Sequence, residues 1–233
     1  MKKFKFNHSN ISGIIFDLDG VITDTASIHK IAWKNSFDKY LKDISKKKFL
    51  YFHYLNYIDG KPRIKAIHDY LDYRKINKKK KLIKIISNEK NNLFRNLLKT
   101  RKIKVFKDTL NLIEKIKKFN IKVAVASSSK NCKYILKKKK LLKKFDFVVD
   151  GADLEKKKIN GKPNPGIFLI AIKKLSLNKK KTLIFEDSCS GVTSAKRSGV
   201  RFVIGVARKS NDYLLKKSGA NIVINKLSQI QIF

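Results

Sequence analysis

The sequence predicts an α/β protein in which a doubly wound, mostly parallel sheet is interrupted early by a helical insertion. Three observations predict it. Short apolar runs recur at Ser12–Phe16, Val123–Ala126, Thr182–Phe185 and Arg201–Val206, with helical patterns between them. Strands that alternate with helices build a mostly parallel sheet with helices on its faces. From about Ser27 to Thr100, apolar residues recur at three- and four-residue steps and no strand signal interrupts them. Two of the strands also end in clustered acids, Asp17 and Asp19 after the first and Glu186-Asp187 after another. Ligands of open α/β sheets sit beyond the carboxyl ends of strands.

Taken in order, the first strand ends at Phe16 and hands its next residues to chemistry. Along an extended chain Asp17 and Asp19 fall on one side, with Leu18 facing away, and Gly20 lets the backbone turn. Two carboxylates this close repel, so a cation or a proton belongs between them. A solvated surface turn leaves the apolar strand that leads into the pair without a reason. Thr23 to Thr25 reads as a linker leaving the core. The helical insertion carries Ile28, Ile31 and Ala32, then Phe49, Phe52 and Leu55, then Leu82, Ile85, Ile86, Leu93 and Leu97. The core resumes at Lys104-Val105-Phe106, followed by a helix over Asp108–Phe119 on Leu112, Ile113 and Ile116. The strand Val123–Ala126 runs into Ser127-Ser128-Ser129-Lys130-Asn131, and a helix covers Cys132 to about Lys139. Phe145–Val149 reads as a strand and Asn164–Lys174 as a helix. Thr182–Phe185 is a strand, Gly191–Gly199 a helix, and Arg201–Val206 and Asn221–Ile224 are late strands.

A chain of 233 residues has room for a core domain plus a smaller inserted one. It has no run long enough to span a bilayer. Met1-Lys2-Lys3-Phe4-Lys5-Phe6 opens like a leader, but Asn7, His8, Ser9 and Asn10 end it before an apolar region develops. Cys132 and Cys189 have no metal or redox spacing, which predicts reduced thiols in a cytoplasmic protein. The net charge of +38 invites a nucleic-acid reading. Against it, the excess is lysine, and arginine appears only at Arg63, Arg74, Arg95, Arg101, Arg197, Arg201 and Arg208. The lysine runs at Lys46–Lys48, Lys78–Lys81, Lys137–Lys140, Lys156–Lys158 and Lys179–Lys181 are scattered through the chain. Together with abundant Ile and Asn they fit AT-rich codon usage. The expectation is a monomer with no specific nucleic-acid partner and no membrane partner, weakly sticky toward polyanions.

Phe16-Asp17-Leu18-Asp19-Gly20-Val21-Ile22-Thr23-Asp24-Thr25 resembles the first motif of the haloacid dehalogenase superfamily, in its β-phosphoglucomutase-like form. Ala26-Ser27-Ile28-His29-Lys30-Ile31-Ala32-Trp33 continues the resemblance. It implies a Rossmann-like core domain over 1–25 and 101–233, with 26–100 inserted as a helical cap domain. It also implies that Asp17 is a nucleophile that takes a phosphoryl group and that Asp19 is the general acid and base.

Three further strand ends bring polar groups to the same edge. Ser127 stands where a hydroxyl and the following N–H groups suit phosphate oxygens, or where an N-cap serves the helix alone. Ser127 resembles the family's second motif, and Ser128 and Ser129 extend its polar loop. Lys162 sits in Gly161-Lys162-Pro163-Asn164-Pro165, whose prolines and glycine fix a turn that aims the side chain. This resembles the third motif, whose lysine neutralises the nucleophile and the transferring group; the chain departs from it at Gly166, where relatives commonly carry Asp. Glu186-Asp187 resembles the fourth motif, which holds Mg²⁺. The ligands implied are Asp17, the backbone carbonyl of Asp19, and Asp187, with Glu186 a ligand or its partner; magnesium favours such hard oxygen donors. Acids number only 18 in the chain, so four of them at two strand ends are more than chance.

Gly60-Lys61-Pro62-Arg63 and Lys90-Asn91 resemble cap positions that grip a second phosphate in this subgroup. Arg63 is the informative residue, because a guanidinium fork suits bidentate phosphate contact. Lys90 has a solvated helix face as its other reading. Lys130 and Asn131 are placed to complete phosphate and sugar contacts. His29, one turn from Trp33, reads either as an aid to proton movement at Asp19 or as a packing residue; Trp33 reads as cap core, and Thr25 closes the first motif. The resemblance implies a Mg²⁺-dependent enzyme acting on a small sugar phosphate through a phosphoaspartate. The expected reaction interconverts β-glucose 1-phosphate and glucose 6-phosphate, with a sugar-phosphate phosphatase as the alternative.

Overall fold

The computed structural model describes residues 3–42, 44, 47–208 and 211–233. Met1 and Lys2 of the leader-like opening, and Lys46 of one lysine run, lie outside the described residues. Strand β1 (Phe4–Phe6) precedes the central strand β2 (Gly13–Phe16). Helices α1 (Ala26–Leu41), α2 (Tyr51–His53), α3 (Arg63–Tyr73) and α4 (Lys80–Thr100) follow, with a π-helical turn at Tyr54–Ile58 after α2. Then come α5 (Lys107–Lys117), β3 (Lys122–Ala126), α6 (Cys132–Lys138), β4 (Phe147–Val149), α7 (Gly151–Lys156) and α8 (Gly166–Lys174). The chain ends with β5 (Thr182–Glu186), α9 (Cys189–Arg197), β6 (Phe202–Val206), α10 (Asp212–Lys217), β7 (Ile222–Ile224) and β8 (Ile230–Ile232).

Six parallel strands form the main sheet in the order β4-β3-β2-β5-β6-β7. Counted from β2, this is the Rossmann order, in which the winding reverses beside the first strand and leaves a crevice there. β2 is buried on both faces, so its residues are apolar without alternation. Ile14, Phe16, Val123, Val125, Leu183 and Phe185 face a core layer shared with α5 and α6. Ile15, Ala124, Ala126 and Ile184 face the opposite layer with α8 and α9. The helices between α1 and α4 hold an apolar cluster of their own, built on Trp33, Phe37, Phe49, Ile67, Tyr70 and Ile86.

Several expectations are corrected. Phe4–Phe6 pairs in parallel with Ile230–Ile232 to form a second, two-stranded sheet. Both strands are three residues long, too short for periodicity to show. Where the core resumes at Lys104-Val105-Phe106, Val105 forms a single bridge to Thr23, so the chain leaves and re-enters side by side. The helix expected from Asn164 begins at Gly166, because Pro163 and Pro165 cannot donate to a helical ladder. The segment after β4, for which the sequence reading assigns only the lysine run at Lys156–Lys158, is helical from Gly151. Asp150 accepts from the N–H groups of Ala152 and Asp153, a capping arrangement that was present in the sequence. Among the described residues, no helix is long and apolar enough to cross a membrane.

Candidate active site

Register decides what meets at the sheet edge. Phe16 lies opposite both Val125 and Phe185, and the rings of Phe16 and Phe185 stack at 4.9 Å. The next residue of each strand is therefore a neighbour: Asp17 stands between Ala126 and Glu186. Lys162 enters from the loop before α8 and is only 1% exposed. Its Nζ donates to Asp17 Oδ1 at 2.6 Å, to the Ala126 carbonyl at 3.2 Å, and to Glu186 Oε1. Burial alone would lower the Lys162 pKa, but Asp17 and Glu186 outweigh it and hold the ammonium charged. Burial pushes the Asp17 carboxyl well up, Lys162 opposes that, and Glu186 and Asp19 add to it.

Asp17, Glu186 and Asp187 each bring one carboxylate oxygen to within 4.8 Å of the others. Burial and the neighbouring carboxylates, Asp59 first among them, push the Asp187 carboxyl well up. An all-oxygen donor set of this kind fits a hard divalent ion such as Mg²⁺. The space is kept by two glycines. A Cβ on Gly20, whose φ is +87°, would lie 1.7 Å from Asp187 Oδ2, and one on Gly191 would lie 1.9 Å from Glu186 Oε1.

Asp19 belongs to a second network. Thr25 is fully buried and donates to Asp19 Oδ1, while hydrogen-bonding Thr23 at 2.7 Å. Ser127 Oγ donates to Asp19 Oδ2 at 3.4 Å and also accepts from the Ser129 N–H at 3.1 Å. The Ser129 contact lies within the loop, and α6 starts at Cys132 with Asn131 as its N-cap, so Ser127 does not cap the helix. His29 Nε2 lies 3.6 Å from Asp19 Oδ1, and Lys90 Nζ hydrogen-bonds His29 Nδ1 at 2.6 Å. Nδ1 is thus engaged by Lys90, and Nε2 is the ring atom that faces Asp19. Burial, then Lys90 and Arg63, pushes the His29 pKa well down, so the imidazole is neutral. The solvated-face reading of Lys90 falls: it is 3% exposed, near the rings of Trp33 and Phe94 at 5.0 and 4.6 Å. Burial and Arg63 push its pKa well down.

Above these groups opens a cavity of about 490 Å³. Asp17, Asp19, Lys162 and Asp187 line it from the strand ends and the loop before α8; Arg63, Lys130 and Asn131 line it from the helical segment and the loop after β3. Arg63 donates to the Ser87 carbonyl and to Asn91 Oδ1 at 3.3 and 2.8 Å, and Asn131 Nδ2 reaches Asn91 Oδ1 at 3.2 Å. Ser128 Oγ donates to the Gly60 carbonyl at 2.9 Å, and Ser129 is part of the wall. Trp33 does two things, closing the apolar cluster of the helical segment and lining the cavity. Sequence reading missed Glu155, which also lines the cavity and accepts from Lys130 Nζ at 2.5 Å. Its signal was the capped start of α7, hidden beside a lysine run.

The family model for the haloacid dehalogenase-like hydrolases matches residues 14–205. The chain belongs to this family. It is 31% identical to a β-phosphoglucomutase of Mycobacterium bovis, over 94% of this chain and 91% of that one. It is 29% identical to a phosphorylated carbohydrates phosphatase of Thermotoga maritima, over 87% and 88%. Among solved structures, the β-phosphoglucomutase of Clostridium difficile matches with a TM-score of 0.80 and 28% identity, covering 95% of this chain and 93% of that one.

Proposed function

We propose that the protein is a β-phosphoglucomutase, moving a phosphoryl group between O1 and O6 of glucose through a bisphosphate bound in the cavity. The observation that supports this reading is that two cations from separate parts of the chain line one cavity, Lys162 from the loop before α8 and Arg63 from the helical segment. A hydrolase needs to hold only the phosphate it removes, whereas a mutase must hold two. In this reading residues 1–25 and 101–233 form the catalytic core and 26–100 a cap that brings Arg63 over the substrate. An Asp17 oxygen attacks phosphorus in line while the ester P–O bond breaks. Asp19 gives its proton to the departing sugar oxygen, and the sugar's other hydroxyl later returns a proton to Asp19 as it takes the phosphoryl group. Neutral His29, fixed by Lys90, presents Nε2 toward Asp19. Thr25 and Ser127 hold the two Asp19 oxygens. Lys162 offsets the charge on Asp17 and on the equatorial oxygens. Mg²⁺ held by Asp17, Asp187, the Asp19 carbonyl and Glu186 would add Lewis-acid stabilisation of the same charge. A phosphatase of sugar phosphates is the second reading, favoured by the phosphatase relative.

Arg63 separates the two. Arg63→Ala removes a charge-assisted contact worth on the order of 2–3 kcal/mol, which is roughly a 30- to 150-fold loss in the mutase reaction. Phosphoenzyme formation from a small activated phosphate, which uses Asp17 and Lys162, is expected to change little. The experiment supplies β-glucose 1-phosphate with a trace of the bisphosphate and measures glucose 6-phosphate and free phosphate together. Glucose 6-phosphate is expected to form faster; dominance of free phosphate identifies a phosphatase.

A further inference from the structure

Arg208, two residues past β6, bonds to the active-site turn, yet it lies outside the sequence motifs. Its Nε donates to the Gly20 carbonyl at 3.2 Å. Nη1 and Nη2 fork onto Asp108 Oδ2 and Oδ1, both at 3.1 Å. Nη2 also reaches Thr109 Oγ1 at 3.0 Å, and Thr109 Oγ1 donates onward to the Val21 carbonyl at 2.7 Å. The guanidinium lies 3.8 Å above the Phe106 ring, with 13% of the side chain exposed. Asp108 accepts one more bond, from the Leu227 N–H at 2.7 Å. The fork therefore has a fixed base.

We propose that Arg208 is a positioning residue for Asp19. Asp19 is followed by a turn at Gly20 whose φ of +87° is open to glycine but strained for other residues. The turn is closed by the Gly20 N–H to the Thr23 carbonyl at 2.7 Å, while its outward carbonyls, Gly20 and Val21, are held by Arg208 and Thr109. Buried carbonyls must find donors, so this network sets where the turn sits, and the turn sets where the Asp19 backbone sits. The same cluster touches both connections of the helical segment. The Phe106 N–H donates to the Ile22 carbonyl at 3.0 Å, and the Asp24 N–H to the Lys104 carbonyl at 2.9 Å. A lysine cannot reproduce a fork that serves Asp108, Thr109 and Gly20 at once.

This inference rests on Asp19 being the general acid, and the test checks that alongside. Acetyl phosphate releases acetate, a leaving group that needs no proton, whereas glucose 6-phosphate releases a sugar alkoxide that does. First-turnover release of acetate and of glucose is measured for wild type, Asp19→Asn, Arg208→Gln and Arg208→Lys. Arg208→Gln together with Asp108→Asn removes the half-buried carboxylate that has lost its cation and keeps the test interpretable if Arg208→Gln alone does not fold. A shift of about 1 Å at a reacting group costs roughly a hundredfold, so both Arg208 variants and the double variant are expected to lose roughly ten- to a hundredfold on glucose 6-phosphate. On acetyl phosphate, measured at saturating Mg²⁺ because the Asp19 carbonyl is also a metal ligand in the proposed reading, they are expected to lose less than about threefold. A defect in folding alone lowers both rates together. Parallel loss in the Arg208 variants, or no loss, while Asp19→Asn remains donor-selective, overturns the positioning role alone. Equal loss on both donors in Asp19→Asn overturns the acid assignment and this inference with it.

Discussion

Lys162 is the residue on which the charge balance of the site turns. Three carboxylates, Asp17, Glu186 and Asp187, converge on one sheet edge, and Lys162 is buried between two of them. A buried pair is costly to assemble and costlier to break, because removing one partner leaves the other charge uncompensated. Lys162→Met is therefore expected to lower stability by about 3–5 kcal/mol and to abolish phosphoryl transfer. Lys162→Met with Glu186→Gln removes one of the stranded charges. It is expected to recover a large part of the stability while leaving transfer absent. Urea unfolding with a phosphoenzyme assay separates the two effects. Full recovery of transfer in the double variant would show that the lysine serves only to neutralise Glu186.

At the scale of elements, the seam between the helical segment and the sheet edge depends on residues without side chains. A Cβ on Gly161 would lie 2.5 Å from Pro62 Cγ, so an alanine there pushes against the loop that carries Arg63. Overpacking of this kind costs typically 1–3 kcal/mol. Gly161→Ala is expected to raise the KM for a sugar phosphate roughly tenfold, and Pro62→Ala in the same chain is expected to reverse much of it. Additive losses in the double variant would mean that the two do not oppose each other. The strand ends behind this seam were legible because apolar runs break into Asp17, Ser127 and Glu186, and the reversal of winding brings those breaks together. The helices from α1 to α4 were legible from their apolar spacing. β1 and β8 were not, since three residues show no period, and α7 was obscured by the lysines that follow it. Lys90 looked like any surface lysine; its burial against His29 and Trp33 is decided by contacts about sixty residues away in sequence. Arg208 shares that fate, because its partners at Gly20 and Asp108 lie 188 and 100 residues away.

On the whole molecule, a net charge of +38 surrounds a site whose own floor is acidic. The described lysines of the five runs are exposed, apart from a half-buried Lys139, so they shape the field in solvent rather than the chemistry. Such a field concentrates anions near the surface and can raise association rates by roughly 10- to 1,000-fold at low ionic strength. Salt shortens its reach to about 8 Å at 0.15 M. The buried Lys162, Asp17 and Glu186 are shielded from that screening. Capture of an anionic sugar phosphate and the chemical step should therefore respond differently to salt. Between about 10 and 200 mM KCl, kcat/KM is expected to fall roughly tenfold while kcat stays within about twofold. Polyanions such as DNA or polyphosphate should inhibit only at the low-salt end, because their hold depends on counterion release. A mixed-sequence duplex that still inhibits at 200 mM KCl would point to a built nucleic-acid surface. A kcat/KM that does not move with salt would show that the lysines do not assist capture, leaving codon usage as the account of their number.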